Sequence, residues 1–175
     1  LSVMEVLGDS VLEEEVVEGM QEAEDHDHAE GEAHEEEADE HVWLSLRNAR
    51  TACAEIARVL GELDPDHAAE YQTNAENYMA ELEALDGEYA ALAENAARRT
   101  VLVGDRFPFR YLMDDYGLEY YAAFSGCSAE TEASFETIAF LSGKTEELAL
   151  PCILTTESPQ PGVAETIRSN TASGD

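Results

Sequence analysis

Positive charge is what this chain has least of. Nine Lys and Arg stand against 40 Asp and Glu in 175 residues, a formal charge of −31 at pH 7. No Lys or Arg precedes Arg47. A polyanion would meet no cationic patch from which to release counterions, which excludes nucleic-acid binding. The same scarcity disfavours attraction to an anionic membrane surface. Apolar runs are short, and none approaches the roughly 18 residues that a membrane-spanning helix needs. No secretory leader is expected within these residues either. The chain opens on Leu1 inside an expected strand and stops at Ser173-Gly174-Asp175 straight after an expected helix. It is therefore expected to be an internal fragment, so the missing signals say nothing about location. Three cysteines (Cys53, Cys127, Cys152) lack zinc-finger spacing. Cys152 lies in an apolar run and is expected to be a buried small hydrophobe. What the chain does have is 44% hydrophobic residues, enough for a packed core. Its charge asks for a cationic partner, and the smallest is a metal ion.

The acids are not evenly spread. Residues 13–40 carry 15 of them, with His26, His28 and His34 embedded among them. So few large apolar residues cannot repay the entropy of ordering, so a flexible loop is expected, with a short helical turn over Val11 to Met20. Four of the five histidines fall within residues 26–41. Neutral imidazole suits zinc and related divalent ions, and carboxylates add charge attraction. The plainer reading is a solvated acidic loop with incidental histidines. His41, at the exit of this segment beside Trp43 and Ser45, is either a fixed ligand or a structural histidine.

Leu1 to Val6 reads as a strand. Ser45 caps a helix from Leu46 to about Leu60, closed by Gly61. Asp64-Pro65 opens a helix running to Arg98, roughly 50 Å long at 1.5 Å per residue. Its apolar seam (Tyr71, Ala75, Tyr78, Leu82, Leu85, Tyr89, Leu92, Ala96) predicts packing along the whole length, as in a strut between two domains. Thereafter strands at Thr100–Val103, Leu118–Ala123 and Pro151–Thr155 alternate with helices at Phe107–Tyr116, Ala133–Leu148 and Val163–Ser169. That alternation implies a parallel sheet covered by helices, with ligands bound outside the carboxyl ends of the strands.

Three groups follow those strand ends. Asp105, beside Arg106, is either an oxygen ligand for a cation or half of a structural ion pair. Ser125 to Glu132 reads as a helix cap, with Cys127 as a less supported thiolate. Glu157 is a metal ligand, a carboxylate supporting one, or a helix cap. No phosphate loop, G-x-S-x-G elbow or H-E-x-x-H helix occurs.

Together these motifs resemble the solute-binding proteins of bacterial zinc and manganese ABC transporters. The acidic His segment followed by Glu40-His41-Val-Trp-Leu-Ser45 looks like that family's metal loop and H-x-W-L-S-P segment. Asp105-Arg-Phe-Pro-Phe-Arg-Tyr-Leu112 with Asp115-Tyr-Gly-Leu118 looks like its H-D-A-F-x-Y-F…Y-G-L segment. Thr156-Glu157-Ser-Pro with Ala164-Glu-Thr-Ile167 looks like its F-x-E-x…A-x-x-I segment. The resemblance implies an α/β fold of two lobes joined by the long helix, each lobe a parallel sheet covered by helices, the first lobe incomplete here. The implied parts are residues 1–63 with the loop 13–40, the linker helix 64–98, and a C-terminal lobe 99–175. It implies capture of zinc, or alternatively manganese, outside the cytoplasm, in the periplasm or on a lipid anchor at the bacterial surface. Delivery to a membrane ABC permease follows, by a monomer that is not an enzyme. His41 falls on a family ligand position, and Asp105, His26, His28, His34 and Glu157 complete the candidate metal set. Arg106 stands where the family usually has a ligand, and an arginine cannot ligate a cation. Two other classes stand beside this one. An acidic calcium-binding or adhesive surface protein lacks the D-x-[DN]-x-[DN]-G loop. A zinc metallohydrolase would need Glu157 or Glu130 as base, and no catalytic motif frames either.

Overall fold

In the computed structural model the described residues are 1–21, 38–126, 132–156 and 162–171. The first element is a helix, α1 (Val3–Leu7), where a strand is expected. Ser2 decides this locally, its hydroxyl accepting the Glu5 N–H at 3.4 Å. Helical spacing then turns Val3, Met4 and Leu7 into one cluster with Val42 and Tyr111. Residues 11–20 form no helix. Glu13 instead bridges Ala38 in antiparallel fashion, and Gly19 turns the chain at φ +81°. Val17 and Met20 thereby reach the core beneath the sheet.

α2 (Leu46–Leu63) and α3 (Ala68–Asn95) form a helical hairpin joined by a 3-10 turn at Pro65–His67. Ser45 caps α2 as expected, accepting the Asn48 N–H at 3.1 Å. Gly61 does not end α2. It lies inside the helix, and a Cβ there would come within 3.1 Å of the Ala68 Cβ, so it lets the two helices meet closely. At 28 residues α3 is about 42 Å long. Its seam is only partly covered: Leu82 is buried, whereas Tyr78 and Leu92 are 53% and 69% exposed.

β1 (Thr100–Phe107) pairs in parallel with β2 (Glu119–Ser125), from Thr100↔Glu119 to Phe107↔Ser125, with a shift in register between Val103 and Arg106. β1 runs past the expected end at Val103, so Asp105 lies within the strand. Pro108 follows it, and α4 (Arg110–Tyr116) starts later than the expected Phe107. The expected third strand at 151–155 is reduced to a parallel bridge at Leu154, which donates to the Leu102 carbonyl at 2.8 Å and accepts the Gly104 N–H at 2.9 Å. On the other edge Gln21 bridges Phe124 in parallel and donates its N–H to the Ala123 carbonyl at 2.9 Å. The observed class is thus α/β, with β1 and β2 central.

Alternation along the strands builds two cores. Leu102 and Ala123 face Ile138 and Leu141 of α5 (Phe135–Glu147) and Ile167 of α6 (Gly162–Ser169). Val103 and Ala122 face the opposite way, toward Met20, Phe107 and Met113. Leu141 and Ile167 are fully buried, each worth about 1.5–3 kcal/mol. Cys152 is exposed rather than buried, because among the described residues the Leu154 segment is covered on one edge only. Polar ties hold the hairpin to α4 and to the start of β1. Arg47 of α2 reaches Asp86 at 3.8 Å and Asp115 at 3.5 Å, and the Tyr116 hydroxyl donates to Asp86 at 2.8 Å. Arg99 donates to the carbonyls of Ala93, Tyr116 and Gly117 at 3.0, 2.8 and 2.9 Å.

Candidate metal site at the strand ends

The acidic segment closes on itself before His41. The Glu13↔Ala38 bridge and the Asp39 N–H donated to the Leu12 carbonyl at 2.9 Å bring its two ends together. Asp39, 7% exposed, then folds over the next turn. Its Oδ1 accepts both the backbone N–H of His41 and the His41 ring at Nδ1, each at 2.8 Å. An ionised carboxylate only accepts, so Nδ1 carries a proton, and in the neutral ring the lone pair is on Nε2. Among the described residues Nε2 has no hydrogen-bond partner. A carboxylate that orients an imidazole through one nitrogen and frees the other is the usual support of a metal-binding histidine.

The ring sits where the parallel-sheet rule puts ligands. A Cβ on Gly126, the residue after β2, would lie 2.9 Å from His41 Cε1, 3.1 Å from Pro108 Cα and 3.2 Å from the Phe107 carbonyl oxygen. His41 therefore rests against the carboxyl ends of β1 and β2 together. Trp43 flanks it with ring centroids 5.6 Å apart, inside the 3-10 turn Val42–Leu44 that leads to the Ser45 cap.

Asp105 is also buried near a strand end. Its Oδ1 accepts the Arg106 backbone N–H at 2.8 Å and its Oδ2 accepts the Thr156 hydroxyl at 2.5 Å. These bonds tie β1 to the stretch after Leu154 and leave lone pairs on both oxygens. Among the described residues no three His, Cys, Asp or Glu side chains come together, so His41 and Asp105 are not parts of a three-ligand cluster there. His26, His28, His34 and Glu157 lie outside the described residues, as do Cys127 and Glu130.

Three residues at this site escape sequence reading. Asp39 is visible in principle, because an Asp two residues before a histidine commonly accepts the backbone N–H two positions on. Tyr111 has no such signal. Its hydroxyl meets both ends of the acidic segment, and burial is the main cause pushing its ionisation above the usual tyrosine range. Gly126 is needed only because the His41 ring comes so close.

The family described as "Zinc-uptake complex component A periplasmic" matches residues 3–175. The chain belongs to this family. The zinc-binding lipoprotein AdcA of Streptococcus pneumoniae serotype 4 is 34% identical over 85% of the chain and 29% of its own length. The high-affinity zinc uptake system protein ZnuA of Brucella abortus (strain 2308) is 30% identical over 77% of the chain and 40% of its own. Among solved structures, the laminin-binding protein Lmb of Streptococcus agalactiae, described as a bifunctional protein with adhesin and metal transporting activity, superposes with a TM-score of 0.69 at 26% identity. That match covers 77% of the chain and 51% of Lmb. The chain thus spans between about a third and a half of the length of these relatives. Membership in this zinc-uptake family agrees with the resemblance carried by the motifs around His41, Asp105 and Glu157. It also agrees with the α/β architecture, and no helix among the described residues is long and apolar enough to cross a membrane.

Proposed function

We propose that the protein containing this chain captures zinc, with manganese as the alternative cargo, outside the cytoplasm and hands it to a membrane ABC permease. It does so as a monomer, in the periplasm or on a lipid anchor. The observation that carries the reading is His41: its ring is oriented by a buried carboxylate, its Nε2 has no hydrogen-bond partner among the described residues, and its Cε1 edge lies against the carboxyl ends of β1 and β2. Family membership supports zinc as the cargo, as do relatives named for zinc binding and zinc uptake. The work is binding and release, with no catalytic step.

In this reading His41 is a fixed nitrogen ligand, and Asp105 offers an oxygen donor through lone pairs left free by Arg106 and Thr156. Glu157, the residue that follows Thr156 in sequence, is a further carboxylate. His26, His28 and His34 gather metal weakly and pass it on. Chain length permits this, since at most about 3.6 Å per residue puts His34 within about 25 Å of His41 along the backbone. The parts 1–63, 64–98 and 99–175 then serve as the remainder of one lobe, the linking helix and the second lobe. An adhesive role is a second reading, favoured by the adhesin activity ascribed to the structurally similar Lmb.

Calorimetric zinc titration of the full-length protein tests the reading. His41→Ala is expected to abolish the tight site, and deletion of 22–37 to remove only weaker binding. Tight binding unchanged in His41→Ala would overturn it.

A further inference from the structure

Tyr111 stands in the first turn of α4, yet its hydroxyl serves a distant part of the chain. The residue is 3% exposed, in a cluster with Leu7 and Val42 against which Val11 and Leu12 pack. Its oxygen accepts the Leu12 N–H at 2.9 Å and donates to the Asp39 carbonyl at 2.7 Å. Leu12 and Asp39 are themselves joined, the Asp39 N–H donating to the Leu12 carbonyl at 2.9 Å. One phenol oxygen therefore occupies the point where Leu12 and Asp39, at the two ends of the acidic segment, meet.

Asp39 is held at both ends. Its carbonyl is bound by Tyr111 and its carboxylate binds the His41 ring. A phenylalanine would fill the same apolar space, so packing alone gives no reason for the oxygen. What the oxygen adds is a paired donor and acceptor for two backbone groups that burial would otherwise leave unmet. We propose that Tyr111 is a positioning residue for the metal site: its hydroxyl closes the neck of the acidic segment and, through the Asp39 backbone, fixes the carboxylate that orients His41. This rests on the reading of His41 as a ligand.

Tyr111→Phe in the full-length protein tests it with two readouts. In metal-free protein, amide hydrogen exchange at Leu12 and Asp39 is expected to speed up about tenfold or more, while the β1 amides of Leu102 and Val103 stay as in wild type. In zinc titration the tight site weakens about tenfold, the lower end expected for losing support outside the ligands themselves, and weaker binding by the acidic segment is unchanged. Unchanged exchange at Leu12, or zinc affinity within twofold of wild type, overturns the inference. Should Tyr111→Phe lose its fold, 3,5-difluorotyrosine at that position keeps the hydroxyl but weakens it as an acceptor. Faster Leu12 exchange with weaker zinc binding is then expected, and no change in either overturns the inference. Equal zinc binding by wild type and His41→Ala would instead defeat the reading of His41. Loss of binding in His41→Ala with unchanged binding in Tyr111→Phe defeats this inference alone.

Discussion

Asp39→Asn removes one charge at nearly constant volume. In the wild-type protein a single oxygen, Oδ1, accepts the His41 backbone N–H and the ring Nδ1–H, both at 2.8 Å. The group is 7% exposed, so water offers little substitute. An asparagine oxygen, with two lone pairs, can still accept both protons, but without the negative charge. The ring's bond is then no longer charge-assisted, and its preference for a lone pair on Nε2 weakens. Loss of such a support typically costs about 10–100-fold in metal affinity. That corresponds to about 1.4–2.8 kcal/mol at 1.4 kcal/mol per tenfold. Folding stability falls less, by about 1 kcal/mol, the difference between a charge-assisted and a neutral hydrogen bond. Competition with a fluorescent zinc chelator at pH 7.5 reads the first quantity, and urea unfolding of metal-free protein reads the second. Affinity within twofold of wild type, in a protein whose His41→Ala variant loses the tight site, would refute the orienting role of Asp39. A stability loss larger than the affinity loss would mark Asp39 as chiefly a structural residue.

Gly126→Ala puts a methyl 2.9 Å from the His41 ring, with Pro108 Cα and the Phe107 carbonyl blocking the other side. The ring must shift, so the tight zinc site is expected to weaken and stability to fall by about 1–3 kcal/mol; calorimetry showing wild-type affinity would contradict the close approach. Alkaline pH probes the tie between the hairpin and α4. Burial first, then the hydrogen bond to Asp86 and its charge, push the Tyr116 hydroxyl well above the ordinary value near 10. The folded state thus keeps a proton that the unfolded chain releases. Stability from this group is complete below about pH 10 and falls above it, by up to about 1.4 kcal/mol per pH unit. Urea unfolding at pH 9, 10 and 11 should show this decline, and Tyr116→Phe should lessen it; equal slopes in the two proteins would contradict it.

The helix-forming residues were the most legible part of the chain. Ser45 as a cap and the order of strands and helices after Thr100 follow from local chemistry, and the structure repeats them except at the third strand, which shrinks to the Leu154 bridge. Boundaries set by distant contacts were not. Gly61 looks like a stop, yet Ala68 across the hairpin needs its missing Cβ. Val3–Leu7 looks extended, yet its cap and the pocket formed by Val42 and Tyr111 make it helical. Cys152 looks buried from its apolar neighbours, but burial depends on what covers the sheet edge. At the site, local pattern left position 41 open between ligand and structural histidine, and the resemblance of Glu40-His41-Val-Trp-Leu-Ser45 to the family's motif singled it out. The partners that define its chemistry come from Asp39 two residues away, which local pattern reveals, and from Gly126 and Tyr111 far along the chain, which it does not.

Long-range proton–nitrogen correlation on the full-length protein, with 15N-labelled histidine, reads His41 directly. One equivalent of zinc is expected to move His41 Nε2 to the metal-bound range while Nδ1 keeps its proton and its bond to Asp39. His41 signals unchanged by zinc, or metal carried on Nδ1, would contradict the placement of the ion at the strand ends.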